Sequence, residues 1–132
     1  MKIQESAENY LETILVISKR KPQVRSIDIA NELSFSKPSV SVAMKNLRLN
    51  GYINVNQEGY ITLTESGLAI AEKIYERHEL LSTWLIKLGV APETASEDAC
   101  RMEHVISPES FHAIKAHLNS EEHIKALSNQ NK

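Results

Sequence analysis

The sequence predicts a mainly α-helical fold carrying one β-hairpin, and three observations lead there. Apolar residues recur at a spacing near 3.6 through most of the 132 residues. Between Tyr52 and Thr64 the period drops to 2 around a glycine-containing turn. Each of the four prolines, Pro22, Pro38, Pro92 and Pro108, stands at the edge of a helical stretch.

The first helix is expected from about Ile3 to Ser18, with Tyr10, Leu11, Ile14, Leu15 and Ile17 as its apolar stripe. Lys21-Pro22-Gln23 breaks it. Ser26 is expected to cap a second helix holding Ile27, Ile29, Ala30 and Leu33, and Ser34-Phe35-Ser36 to form a short turn. A third helix follows, with Ser36 as cap, Pro38 in its first turn and Val40, Ala43, Met44 and Leu47 inward. Asn50-Gly51 stops it. Tyr52–Asn56 and Tyr60–Thr64 alternate as two strands around Gln57-Glu58-Gly59. Helix, helix, turn, helix and hairpin in that order is a winged helix-turn-helix.

Thr64 is placed to cap a long fourth helix from Glu65 to about Leu88, stopped by Gly89, with apolar surface from Leu68, Ala71, Ile74, Tyr75, Leu81, Trp84, Leu85 and Leu88. Pro92 opens a fifth helix to about Ile106, and Ser107-Pro108 caps a sixth with Phe111, Ile114 and Leu118 inward. Ser120-Glu121-Glu122 is a possible start for a last short helix. The expected division is 1–64 for the winged helix-turn-helix and 65–132 for a helical domain.

Composition sets the class. Hydrophobic residues at 42% and charged residues at 24% suit a soluble globular protein. No apolar run approaches the ~18 residues of a membrane span, and Met1–Ser6 lacks a signal-peptide core, so a cytoplasmic location is expected. The single cysteine, Cys100, cannot form an internal disulfide, and a lone thiol is usually a buried small hydrophobe. The net charge is -2, but it is unevenly spread. Lys19, Arg20, Lys21, Arg25, Lys37, Lys45 and Arg48 face only Asp28 and Glu32 over 19–48, whereas from Glu65 onward eleven acidic residues face seven basic ones. That asymmetry suits phosphate at one end and cations or self-pairing at the other.

The third helix carries Ser36, Lys37, Pro38, Ser39, Ser41 and Lys45 on its first turns and polar side. Small hydroxyls let a helix sit deep in the major groove of double-stranded DNA, and the lysines suit phosphates. The fifth helix carries Cys100, Glu103 and His104 at i, i+3 and i+4, so all three are expected on one face. Thiolate, carboxylate and imidazole are three transition-metal ligand types, and other elements must complete their set. His78 on the fourth helix leads, and Asn9 and Glu12, three apart on the first, can face the same point. A buried cysteine beside an exposed Glu–His pair is the structural alternative.

Three stretches carry a family resemblance: Glu8-Asn9-Tyr10-Leu11-Glu12, Arg77-His78-Glu79-Leu80-Leu81, and most specifically Asp98-Ala99-Cys100-Arg101-Met102-Glu103-His104-Val105-Ile106-Ser107. From Ser6 to about Leu118 the chain resembles the diphtheria-toxin-repressor family of metal-dependent regulators, which includes the manganese transport regulators. The resemblance implies a homodimeric repressor of metal-uptake genes that binds operator DNA when loaded with Fe²⁺ or Mn²⁺. It implies that Cys100, Glu103 and His104 match ligands of the iron-responsive branch, and that Glu12 and His78 match ligands of the manganese-responsive branch. Asn9 falls where the family has Met or Asp. Ser82 and Ser96 stand where a second site of the iron branch has Glu and His, so that site is expected to be absent or altered. The chain resembles the short, two-domain form. The thiolate directs the expectation to Fe²⁺, then Mn²⁺, with Co²⁺, Ni²⁺ or Zn²⁺ able to substitute in vitro. Metal joining the first helix to the fourth and fifth would hold the recognition helices of a dimer ~34 Å apart, one turn of DNA.

Two other classes compete. A winged-helix repressor of a small organic ligand needs an apolar pocket, for which Trp84, Met102 and Phe111 are available. A metalloenzyme is disfavoured. His78-Glu79-Leu80-Leu81-Ser82 begins like the zinc-protease motif but has Ser82 in place of the second histidine, and no nucleophile triad or glycine-rich phosphate loop is present. Neither enzyme activity, nor a membrane, nor an organic substrate is expected.

Overall fold

The computed structural model describes residues 5–130, with side chains described to Ser120. The elements run α1 (Glu5–Arg20), α2 (Ser26–Leu33), α3 (Lys37–Leu49), β1 (Ile53–Val55), β2 (Ile61–Leu63), α4 (Glu65–Lys87), α5 (Pro92–Val105) and α6 (Pro108–Gln130). The chain divides into two compact units, with the boundary after Tyr75, inside α4. No helix among the described residues is long and apolar enough to cross a membrane. The Ile3 start expected for the first helix lies outside the described residues.

The first unit is built around Leu11, Ile14 and Ile17 of α1, Ile29 of α2, Val40, Met44 and Leu47 of α3, and the inward isoleucines Ile53 and Ile61 of the hairpin. Removing each such side chain from water contributes roughly 1.5–3 kcal/mol before chain entropy is counted. The hairpin is antiparallel, pairing Ile53 with Leu63, Asn54 with Thr62 and Val55 with Ile61. Its loop closes through Asn56, whose side-chain oxygen accepts from the Glu58 and Tyr60 N–H groups, and Gly59 supplies the left-handed residue at φ +83°. Val24 adds a bridge that periodicity did not reveal, its carbonyl accepting from Ile61 N–H at 2.7 Å.

Caps set the helix ends. Ser36 Oγ accepts from Ser39 N–H at 3.3 Å, as expected for the start of α3. Thr64 Oγ1 accepts from Gly67 N–H at 3.2 Å at the start of α4, and Ser107 Oγ from Ser110 N–H at 3.1 Å at the start of α6. Two expectations are corrected. Ser26 is the first residue of α2, not its cap: the cap is Arg25, whose N–H donates to Asp28 Oδ2 at 2.9 Å. No new helix begins at Ser120, because α6 continues to Gln130 with neither glycine nor proline to break it. Among the apolar residues assigned to these helices, Ile27 (37% exposed), Leu68 (37%) and Leu88 (65%) face solvent.

Asp28 is held twice. Its Oδ1 also accepts from Lys21 Nζ at 2.9 Å. The hydrogen bond from that ammonium is the largest effect and holds the carboxyl below its ordinary value; burial opposes it, and the Arg25 N–H adds a smaller lowering. A depressed folded value means the contribution is present above the ordinary carboxylate value of 3.8 and is lost as pH falls through the folded value. Asp28→Ala is expected to destabilise by about 1 kcal/mol at neutral pH. Urea unfolding at neutral pH and at acid pH checks this: the gap between variant and parent shrinks in acid, and a constant gap contradicts it.

Candidate metal centre and nucleic-acid face

In the second unit α4 and α5 bring one carboxylate between two imidazoles. Glu103 on α5 is fully buried. Its Oε2 lies 2.9 Å from His78 Nδ1 on α4, and its Oε1 lies 3.4 Å from His104 Nε2. The His104 side chain is 2% exposed and that of His78 24%. Glu103 Oε1 is shielded from solvent and has no hydrogen-bond partner among the described residues. A buried carboxylate oxygen left in this condition is costly unless a cation meets it.

Arg77 holds this geometry. Its guanidinium is buried, and Nη1 donates to the carbonyls of Glu103 at 3.0 Å and Ile106 at 2.9 Å. Those carbonyls close the C-terminal end of α5, where backbone acceptors lack helical partners. The guanidinium also lies 5.4 Å from the Phe111 ring centroid, which places Phe111 in packing rather than in an open pocket. Sequence reading did not assign Arg77 this part. The signal was available: Arg77 is in register with the buried Ile74 and Leu81, a charge inside an apolar stripe.

Cys100 reverses the expectation for a lone thiol. It is exposed, while Glu103 and His104, the pair that the structural alternative left in solvent, are enclosed. Cys100 lines a cavity of about 760 Å³ together with His78, Glu93, Ser96, Glu97 and Arg101. Ser96 Oγ is 3.5 Å from His78 Nε2. The lining of this open depression is therefore mixed, with a thiol, an imidazole, carboxylates and a hydroxyl beside the Arg101 guanidinium. Two imidazoles and a buried carboxylate are a donor set of borderline softness that fits a divalent transition metal, and Cys100 on the cavity wall adds a soft donor type. In the first unit, Glu12 is buried on α1 and Asn9 is half-buried, its carbonyl accepting from Thr13 Oγ1 at 2.8 Å. His112 and His117 are exposed, and the side chain of His123 lies outside the described residues.

The candidate DNA face is open along α3. Ser36, Lys37, Pro38, Ser39, Ser41 and Lys45 are all exposed, while Val40, Met44 and Leu47 are buried behind them. Ser36 also donates through Oγ to Ser39 Oγ at 2.8 Å, so its hydroxyl is occupied both as the cap acceptor and as a donor. Sequence reading left out Val42, which is 61% exposed on the same helix.

A two-helix turn with a hairpin wing, joined to helices that gather imidazoles and a carboxylate, defines a transcription regulator of the metal-binding winged-helix class. The models of two domains match: the N-terminal DNA-binding domain of the iron dependent repressor over residues 2–60, and the metal binding and dimerisation domain of the same repressor over 64–125. The chain belongs to the iron-dependent repressor family.

Relatives agree. An uncharacterised HTH-type transcriptional regulator of Methanocaldococcus jannaschii is 35% identical over 86% of this chain and 92% of its own length. The transcriptional regulator MntR of Escherichia coli is 33% identical over 85% of this chain and 72% of its own. Among solved structures, that of the manganese regulator SloR superposes with a TM-score of 0.77 at 28% identity over 90% of this chain. A manganese-dependent transcriptional repressor in complex with manganese gives 0.79 at 28% identity over 86%. The chain spans about half the length of these two solved chains, 55% and 52%.

Proposed function

We propose that this chain is a metal-dependent repressor that binds operator DNA as a homodimer and controls metal-uptake genes. The observation that carries the proposal is the buried Glu103 carboxylate, set between His78 and His104 with one oxygen lacking a hydrogen bond. The working halves are residues 1–64 for DNA and 65–132 for metal and pairing. His78, Cys100, Glu103 and His104 would hold the ion, with Glu12 as a further carboxylate ligand and Asn9 offering a carbonyl oxygen. When bound, the ion supplies the positive charge that a buried carboxylate needs. Because Glu12 and Asn9 belong to the DNA-binding half, their engagement couples metal affinity to DNA affinity, and the coupling is reciprocal. Without it only a fraction of molecules is competent, and apparent DNA affinity falls by that fraction.

The DNA face is assigned to Ser36, Lys37, Pro38, Ser39, Ser41 and Lys45. Pairing is supported by Ile86, Leu88 and Val105, exposed at 44%, 65% and 75% in the second unit, which a partner subunit would cover. The relatives cited above are named as transcriptional regulators, which supports a non-catalytic role, and the match to a DNA-binding domain supports a place in the cytoplasm.

Fe²⁺ is the first choice of metal, because Cys100 offers a thiolate. Mn²⁺ is the second, supported by relatives named for manganese. Co²⁺, Ni²⁺ and Zn²⁺ are expected to substitute in vitro. The test is DNA binding by fluorescence anisotropy with each metal against a chelator. Metal-free protein that binds DNA as tightly as loaded protein removes the proposal. Co²⁺ tests the thiol separately: a near-ultraviolet charge-transfer band is expected in the parent and lost in Cys100→Ser. A band that is absent, or that survives the substitution, takes away the basis for preferring Fe²⁺.

A further inference from the structure

Val42 is 61% exposed in the middle of α3, and neither capping, core packing nor phosphate contact uses it. It is two residues from both Val40 and Met44, which are buried, and so lies about 200° around the helix from each. Its side chain therefore points away from the core. Pro38, four residues earlier and also exposed, shares this outward face. Ser39, Ser41 and Lys45 flank the pair, all exposed. Helix formation does not explain a valine here, since a β-branched residue is a poorer helix former than alanine. Hydrogen bonding does not explain it either, since an isopropyl group has no donor or acceptor.

The surroundings indicate what meets this face. α3 carries Lys37, Lys45 and Arg48 and no acidic residue, which suits a polyanion. The base edges in the major groove of DNA offer hydrogen-bonding groups and one apolar group, the C5-methyl of thymine. We infer that Val42 is a specificity-determining residue that packs its methyl groups on a thymine methyl, with Pro38 beside it on the same apolar strip. The inference rests on the reading of α3 as the DNA-contacting helix and adds to it a base preference.

The test separates the two. The intact chain, loaded with Mn²⁺ or anaerobically with Fe²⁺, selects sites from a random pool of duplex DNA. Each preferred thymine is then replaced in turn by deoxyuridine, which lacks only the methyl group. At one position in each half-site the parent protein is expected to bind about fourfold more weakly to the uridine duplex, the fold-change for one buried methylene-sized group. Val42→Ser is expected to bind the thymine and uridine duplexes within about twofold of each other, by the same reckoning. Because Val42 lies outside the core, circular dichroism is expected to show the variant folded. Lys37→Ala provides the contrast. It is expected to weaken all duplexes alike, lower the slope of log affinity against log salt by about one, and keep the thymine preference. A parent protein that binds DNA but is indifferent to every uridine replacement overturns the role of Val42 and leaves the repressor reading standing. So does a Val42→Ser variant that keeps the fourfold ratio. A loaded parent protein that binds no duplex overturns both.

Discussion

Glu103→Ala is expected to lower metal affinity by at least ~100-fold and to abolish metal-activated DNA binding. Replacing even groups that only orient metal ligands costs roughly 10–100-fold in affinity, and Glu103 is assigned as a ligand itself. The burial of Glu103 raises the stakes. Its carboxylate faces His78 at 2.9 Å and His104 at 3.4 Å, so its loss removes the negative charge between two imidazoles. Glu103→Gln separates charge from shape. The amide keeps the volume and one oxygen, so the fold is expected to survive while affinity for a divalent ion stays low. Metal affinity measured by competition with a chelator, DNA anisotropy and circular dichroism together decide the matter. A folded Glu103→Gln variant that retains parental metal affinity shows that the carboxylate is not a ligand.

Gly67→Ala is expected to destabilise the first unit by about 3 kcal/mol, within the range for overpacked sites. A Cβ at this position would stand 2.0 Å from the Tyr52 carbonyl oxygen and 2.9 Å from its carbonyl carbon. Both obstructing atoms are backbone, so no rotamer change relieves the contact. The same carbonyl accepts from Thr64 N–H at 3.0 Å, and moving it strains the joint between the start of the wing and the first turn of α4. Helix propensity alone favours alanine over glycine by about 1 kcal/mol, so the two effects oppose each other and the clash is the larger. Thermal unfolding followed by circular dichroism distinguishes them. The clash predicts a melting temperature lower by more than about 10 °C, and propensity predicts a rise.

Much of the first unit was legible because its signals are local. The change from a 3.6 to a 2 spacing marked the hairpin. Ser36, Thr64 and Ser107 marked three helix starts through hydroxyls that meet backbone N–H groups within three residues. Ser26 misled because hydroxyl residues suit both a cap and the position after one. The cap was decided by the Asp28 carboxylate reaching back to Arg25 N–H. The Val24 bridge depends on a partner far along the chain, which no local pattern encodes.

At the candidate metal centre the division is sharper. The sequence by itself determined that Cys100, Glu103 and His104 share one side of α5, because spacings of three and four residues follow from helix geometry. It did not determine which of them is enclosed. Cys100 lies about 5 Å earlier along the helix axis, and at that turn the surface is open to the cavity it lines. Glu103 and His104 lie one turn later and are shielded. Nor could spacing show that His78 would approach Glu103, or that Arg77 would close the end of α5 through two carbonyls. Those contacts join residues 25 to 29 positions apart. Periodicity describes one helix about its own axis, whereas burial depends on what packs against each turn, and only the tertiary structure decides that.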